Sequence, residues 1–177
     1  MTNPTAALAP FSRTVAVWGV LGVGLLLLQA VVRLTPIALE PLLHGSLTTG
    51  QAAVYAAWVA TSVYAEGYRG FQKAFVPRTV ARAFHLARTG RPLFVVLAPL
   101  YCMGLIHATR RRRLTSWSIV LTIVVAVGLV RRLPPPWRGV VDGGVVAGLG
   151  YGTLALALAF RRALRGAVPS CPLDLPS

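Results

Sequence analysis

The chain has 177 residues, 55% of them hydrophobic, a mean hydropathy of +0.66 and a formal charge of +14. That length and hydropathy describe one helical membrane domain and leave no room for a second sizeable soluble one. The charge does not indicate nucleic-acid binding, because the basic residues lie between apolar stretches, where they set topology, and no basic surface is left once those stretches are removed.

The first apolar run, residues 14–32, is too long for the core of a cleaved signal peptide and reads as an uncleaved anchor that spans the bilayer. Gly19, Gly22 and Gly24 open it to close approach by a neighbour. The stretch TPIALEPLLHGSLTTG follows, with two prolines and no Lys or Arg, and reads as an outside loop. A second span is expected at 51–68, where Ala52, Ala56 and Ala60 make a smooth ridge and Tyr64 and Tyr68 mark the headgroup level.

The most charged stretch comes next. On a helix over 77–89, Val80, Ala83, Phe84 and Ala87 share one face, and Arg78, Arg82 and His85 share the other. This spacing predicts an amphipathic helix lying along the interface. Arg69, Lys73, Arg78 and Arg82 would then meet the headgroups of anionic phospholipids.

A third segment, 92–109, is apolar but broken by Pro99 and leads into Arg110, Arg111, Arg112 and Arg113. A fourth, 114–130, is uncharged and mostly β-branched, and it stops before three consecutive prolines. The fifth, 139–160, repeats Gly144, Gly148 and Gly152 every four residues. This is the clearest packing signal in the chain and a candidate face for a homo- or hetero-oligomer. Residues 1–168 therefore read as a single all-α polytopic bundle of four to five membrane segments plus one interfacial amphipathic helix, and residues 169–177 as a disordered tail.

Charge bias selects between four and five crossings. With five, the 18 basic residues divide 10 to 8 between the two sides, and neither orientation is favoured. If 92–109 instead enters and leaves on one face, turning at Pro99, the division is 14 to 4, with both termini on the cytoplasmic side. The expectation is therefore four crossings and a re-entrant hairpin, with its non-helical backbone buried in protein.

Polar side chains in such segments need partners, which singles out Glu66, His107 and Asp142. Glu66 stands three residues before Arg69 and Asp142 four after Arg138, so both can pair locally. His107 would lie one helical turn from Arg110 and Arg111. Cys102 reads as a small buried hydrophobe. Neither it nor Cys171 belongs to a disulfide framework or a metal set, and the nucleotide, hydrolase and zinc-protease motifs are absent, so no metal or cofactor is expected.

The expected role is that of a small non-enzymatic protein of the bacterial inner membrane, a complex subunit or lipid-associated accessory factor. Two rivals remain: a proton-coupled transporter using Glu66 and Asp142, and a lipid-active enzyme at the headgroup layer.

Overall fold

A computed structural model describes residues 10–90 and 92–175 of the chain. Residues 1–9, Arg91 and residues 176–177 lie outside that description. The described residues form helices and no strand: α1 (Pro10–Leu43), α2 (Thr49–Ser62), a π-helical segment (Val63–Phe75), α3 (Val76–Thr89), the short α4 (Pro92–Val96) and α5 (Ala98–Cys102), α6 (Arg110–Val130) and α7 (Trp137–Leu164). Three stretches are long and apolar enough to cross a bilayer, namely Ser12–Leu43, Arg110–Val130 and Trp137–Leu164.

Helix α1 continues through most of the stretch read as an outside loop, with Pro36 and Pro41 inside it. Proline removes an N–H from the helix ladder. The Ile37 carbonyl, four residues before Pro41, faces Gly139 of α7, where the missing Cβ lets the two helices touch. The connection is thereby reduced to a short turn ending at Thr48. This residue starts α2 with a capping box: Gln51 N donates to Thr48 Oγ1 at 3.3 Å and Thr48 N to Gln51 Oε1 at 2.9 Å.

The stretches at 51–68 and 92–109 are not single helices of spanning length. The first is α2 passing directly into the π-helical segment. The second breaks at Leu97, ahead of Pro99, and again at Gly104, whose φ of +74° a residue with a Cβ rarely adopts. From there to Thr109 the chain is irregular.

Helix α7 is the centre of the assembly. The C-terminal part of α1 packs beside its start, and α2 with the π segment runs along its glycine face. At the other end, the first turns of α1 pack on α3 and α5 around Val15, Ala16, Val20, Val80, Ala83, Phe84, Ala98 and Cys102. Phe84 meets Phe160 of α7 edge-on at 6.2 Å. The start of α1, the end of α7, α3, the broken segment and the start of α6 therefore gather at one end of the molecule. Helix α6 stands almost bare, with Ser116 its one buried residue. Beyond its four leading arginines the helix is largely apolar, and this exposure suits contact with acyl chains far better than contact with water.

Helix α3 departs most from expectation. Its apolar face packs into the core as the spacing predicts, but its other face is covered as well: Thr79, Ala81, Arg82 and Leu86 are all buried. It is an internal strut rather than a helix lying on a surface.

Candidate functional site

The densest polar arrangement centres on Arg82, whose side chain is only 2% exposed. Its Nε donates to the Tyr101 carbonyl at 2.7 Å, one terminal nitrogen to the Leu173 carbonyl at 2.6 Å, and the other to the carbonyls of Ile106 and His107 at 3.1 and 2.9 Å. The guanidinium also lies 4.4 Å from the centre of the Tyr101 ring, a cation–π contact. These acceptors follow from the break in 92–109. Once the helix stops at Gly104, the carbonyls beyond it have no helical N–H to accept from, and a planar fork with five donors can reach several of them at once. Burial lowers the Arg82 pKa from the ordinary arginine value, and the nearby Tyr101, Cys102 and Asp174 oppose that shift.

The same fork holds the segment around Leu173. Residues 169–175, read from sequence as disordered, are not helical, but they return to the bundle. Leu173 gives its carbonyl to Arg82, and the Asp174 carbonyl accepts from Thr109 N at 2.8 Å. The Asp174 carboxylate stands 4.0 Å from Arg78 Nε, with both side chains about one-third exposed. Arg112, in the first turn of α6, lies within electrostatic reach of Arg78, Arg82 and Asp174. Its side chain folds against Gly104, where a Cβ would lie 3.2 Å from Arg112 Nε. Of the three arginines from α3 and α6, Arg78 is paired with the carboxylate, while Arg82 and Arg112 act on it electrostatically.

His107 does not lie on a helix with Arg110 and Arg111. It sits in the irregular stretch with φ +46°, uncommon for a residue with a side chain. Its ring stacks on Phe94 at 4.6 Å and on Tyr101 at 6.0 Å. The stack fixes the loop whose carbonyls Arg82 collects.

Of the four basic residues expected at headgroups, Arg69 and Lys73 are exposed, Lys73 lying 4.6 Å over the Tyr68 ring. Arg78 is partly exposed and pairs with Asp174. Arg82 faces protein on every side, and the reading of it as a headgroup ligand is corrected by its four carbonyl partners.

The glycine face of α7 is filled from within the chain. Trp58 and Ser62 press on Gly144, Glu66 on Gly148 and Phe71 on Gly152, and Trp58 Nε1 donates to the Val141 carbonyl at 3.3 Å. Its packing role is therefore intramolecular, and it offers no free groove to a second copy. Glu66 belongs to this contact: a Cβ on Gly148 would lie 3.0 Å from Glu66 Oε2. Among the described residues no ion pair joins Glu66 to Arg69, because π-helical winding carries the third residue off the face that an α-helix would share. Asp142, buried at 5% exposure, lies 3.8 Å from Arg138 on the same helix as the spacing predicts. Cys102 is buried against Gly19.

Sequence reasoning missed the inward turn of Arg82 and the involvement of Tyr101, Arg112 and Asp174. Part of the signal was present: residues 79–87 read TVARAFHLA, in which Ala81 and Ala83 flank the arginine with small side chains. Nothing local marks Asp174 as a partner of α3.

Among the described residues no group of three His, Cys, Asp or Glu side chains is arranged to hold a metal ion. Comparison with protein-family models, with curated proteins and with solved structures finds no match to this chain.

Proposed function

We propose that the protein crosses the bacterial inner membrane four times, with its arginine-rich end at the cytoplasmic leaflet, and that it serves there as a non-enzymatic, lipid-associated component of a membrane assembly. The observation that carries this reading is the gathering, at one end, of the broken segment, α3, the start of α6 and the Arg78, Arg82 and Arg112 cluster. With α2 and the π segment as the second crossing and 92–109 returning to its own side, the basic residues divide 14 to 4. Irregular backbone at that depth is tolerated when protein satisfies its carbonyls, and Arg82 supplies that service. The polar groups with the best claim to chemistry are committed to structure: Arg82 to carbonyls, and Asp142 to Arg138.

Two experiments test this. Single cysteines at His44, Arg111, Arg132 and Ser170, in a chain carrying Cys102→Ala and Cys171→Ser, are probed in intact cells with a membrane-impermeant thiol reagent. His44 and Arg132 should label while Arg111 and Ser170 stay protected. Labelling of Arg111 and Ser170 together with His44 means five crossings and refutes the topology. Purified protein incubated with an inner-membrane lipid extract should retain anionic phospholipid and leave the lipid composition unchanged, as read by mass spectrometry. A new lipid product would establish an enzyme instead.

A second reading, a proton-coupled transporter, draws on one observation. Glu66 lies on a π-helical segment, a winding that recurs at functional sites, and its carboxylate touches the α7 groove at Gly148. Glu66→Gln should abolish proton flux in proteoliposomes if that reading holds, and should leave flux unchanged under the one proposed.

A further inference from the structure

The arginine cluster already holds an anion, and that anion belongs to the chain's own tail. Asp174 presents its carboxylate to Arg78 at 4.0 Å, in the electrostatic field of Arg112, while Leu173 and Asp174 fix the backbone through Arg82 and Thr109. Asp174 takes φ +50°, a left-handed conformation that is uncommon for residues with a Cβ and better tolerated by Asp than by most. Three guanidinium groups against one carboxylate leave positive charge uncompensated. Arg78 and the tail are both partly open to the outside, so a stronger anion can reach the same place. Arginine forks match phosphate oxygens particularly well.

We propose that Arg78 and Arg112, backed by Arg82, form a phosphate-binding site, and that the Asp174 tail is its built-in occupant, displaced when a phosphate group binds. The chemistry fits an anionic phospholipid headgroup or a free phosphate. This deepens the lipid-associated reading above by naming the residues and the competitor. On binding, the Asp174 carboxylate leaves Arg78, and the Leu173 and Asp174 carbonyls exchange Arg82 and Thr109 for water. Arg82 keeps its three bonds to the broken segment, so the fold persists while the tail is freed.

Cys171 reports on this directly. It lies in the tail three residues from Asp174, and it is partly covered there. Burial raises its thiol pKa, with Arg78 opposing and Asp174 reinforcing that shift. Release from the bundle therefore exposes the thiol and removes the main cause of its raised pKa, and both changes speed alkylation. Cys102 is buried in the core and serves as the internal control.

The experiment uses full-length protein in a neutral detergent. Alkylation of each cysteine by iodoacetamide is followed by peptide mass spectrometry, with added phosphatidylglycerol, phosphatidylcholine, inorganic phosphate, or sodium chloride at matched ionic strength. Phosphatidylglycerol should raise the Cys171 rate by about two- to fivefold, the factor expected from releasing a partly exposed ion pair, and leave the Cys102 rate unchanged. Asp174→Asn should raise the basal Cys171 rate by a similar factor. A response to phosphatidylglycerol alone identifies a lipid headgroup, and an equal response to inorganic phosphate identifies a soluble phosphate. Arg78→Gln with Arg112→Gln should retain less phosphatidylglycerol in native mass spectra than the parent. Cys171 rates that follow ionic strength alone, or undiminished lipid retention by the double variant, overturn the proposal. Neither result depends on the number of crossings, so its failure is separable from failure of the topology.

Discussion

Replacing Arg82 should unseat the broken segment, and the structure allows the cost to be worked through. Four carbonyls lose a donor, but they do not lose equally. The Tyr101 carbonyl keeps a bond from Gly104 N at 3.0 Å, and Leu173, which is partly exposed, can take water in exchange at its carbonyl. Ile106 and His107, both half-buried, lose the Arg82 donor to their carbonyls. At about 1–3 kcal/mol for each orphaned group, and about 1 kcal/mol for the lost contact with the Tyr101 ring, the gross cost is about 3–7 kcal/mol. Against this, the variant no longer buries a guanidinium, whose desolvation in the native protein opposes folding. Mutations that strip one partner from a buried charged arrangement usually cost about 3–5 kcal/mol net. Arg82→Ala should fall in that range, and Arg82→Met, which refills part of the volume, about 1–2 kcal/mol lower. Against a total stability of about 5–15 kcal/mol, either loss is large. Unfolding by sodium dodecyl sulfate in mixed micelles would measure it. Trp117 is a local optical probe, since its Nε1 donates to the Leu105 carbonyl at 3.3 Å inside the affected loop. An Arg82→Ala protein within about 1 kcal/mol of the parent would refute the assignment of Arg82 as the group holding that loop.

The glycine face offers a paired test within one helix. A Cβ at Gly152 would lie 2.5 Å from Phe71 Cγ, whereas at Gly150 nothing lies within 4 Å. Gly152→Ala should therefore destabilise by about 1–3 kcal/mol through overpacking, and Gly150→Ala should stabilise by about 0.5–1 kcal/mol through helix propensity. Equal effects in the same micelle assay would mean that the π segment does not seat on α7 as described. Asp142→Asn, at a pair whose Arg138 is more than one-third exposed, should cost no more than about 1 kcal/mol. It should leave proton flux in proteoliposomes unchanged, and a loss of flux without a loss of stability would reassign Asp142 to a transport role.

What could be read from the sequence was whatever depends on short range. Hydropathy named five segments, of which three are helices long and apolar enough to cross; the Arg138 to Asp142 spacing matches an ion pair, and the segment containing Pro99 is interrupted, at Leu97 and again after Cys102. The four-residue glycine repeat suggested a packing face but could not say which helix would lie against it, and Trp58, Ser62, Glu66 and Phe71 lie there. The helix joined to α7 by a short connection is α6, yet the groove is filled by α2 and the π segment, with Trp58 and Val141 lying 83 residues apart in the chain. The Glu66 to Arg69 pairing failed for a local reason of another kind. An i to i+3 argument presumes α-helical winding, and the bulky run VYAEGYRGFQKAF is wound as a π-helix.

The misreading of α3 has a more general cause. A helical wheel separates an apolar face from a charged one, and for a surface helix the charged face meets water or headgroups. Here one residue of the charged face, Arg82, meets backbone. Residues 105–109 and 173–174 are irregular, and irregular chain brings carbonyls that must find donors when buried. A buried arginine and a nearby broken helix therefore explain each other: the guanidinium needs acceptors to justify its burial, and the loop needs donors to exist where it does. Each is costly alone, and they are compatible only as a pair. The sequence shows both halves, Arg82 between two alanines and Pro99 and Gly104 in an apolar run, but the link between them spans 19 to 25 residues. No periodic pattern reports a contact of that range. In a helical membrane chain, an arginine flanked by small residues should therefore be weighed against the nearest interrupted segment before it is assigned to the lipid surface.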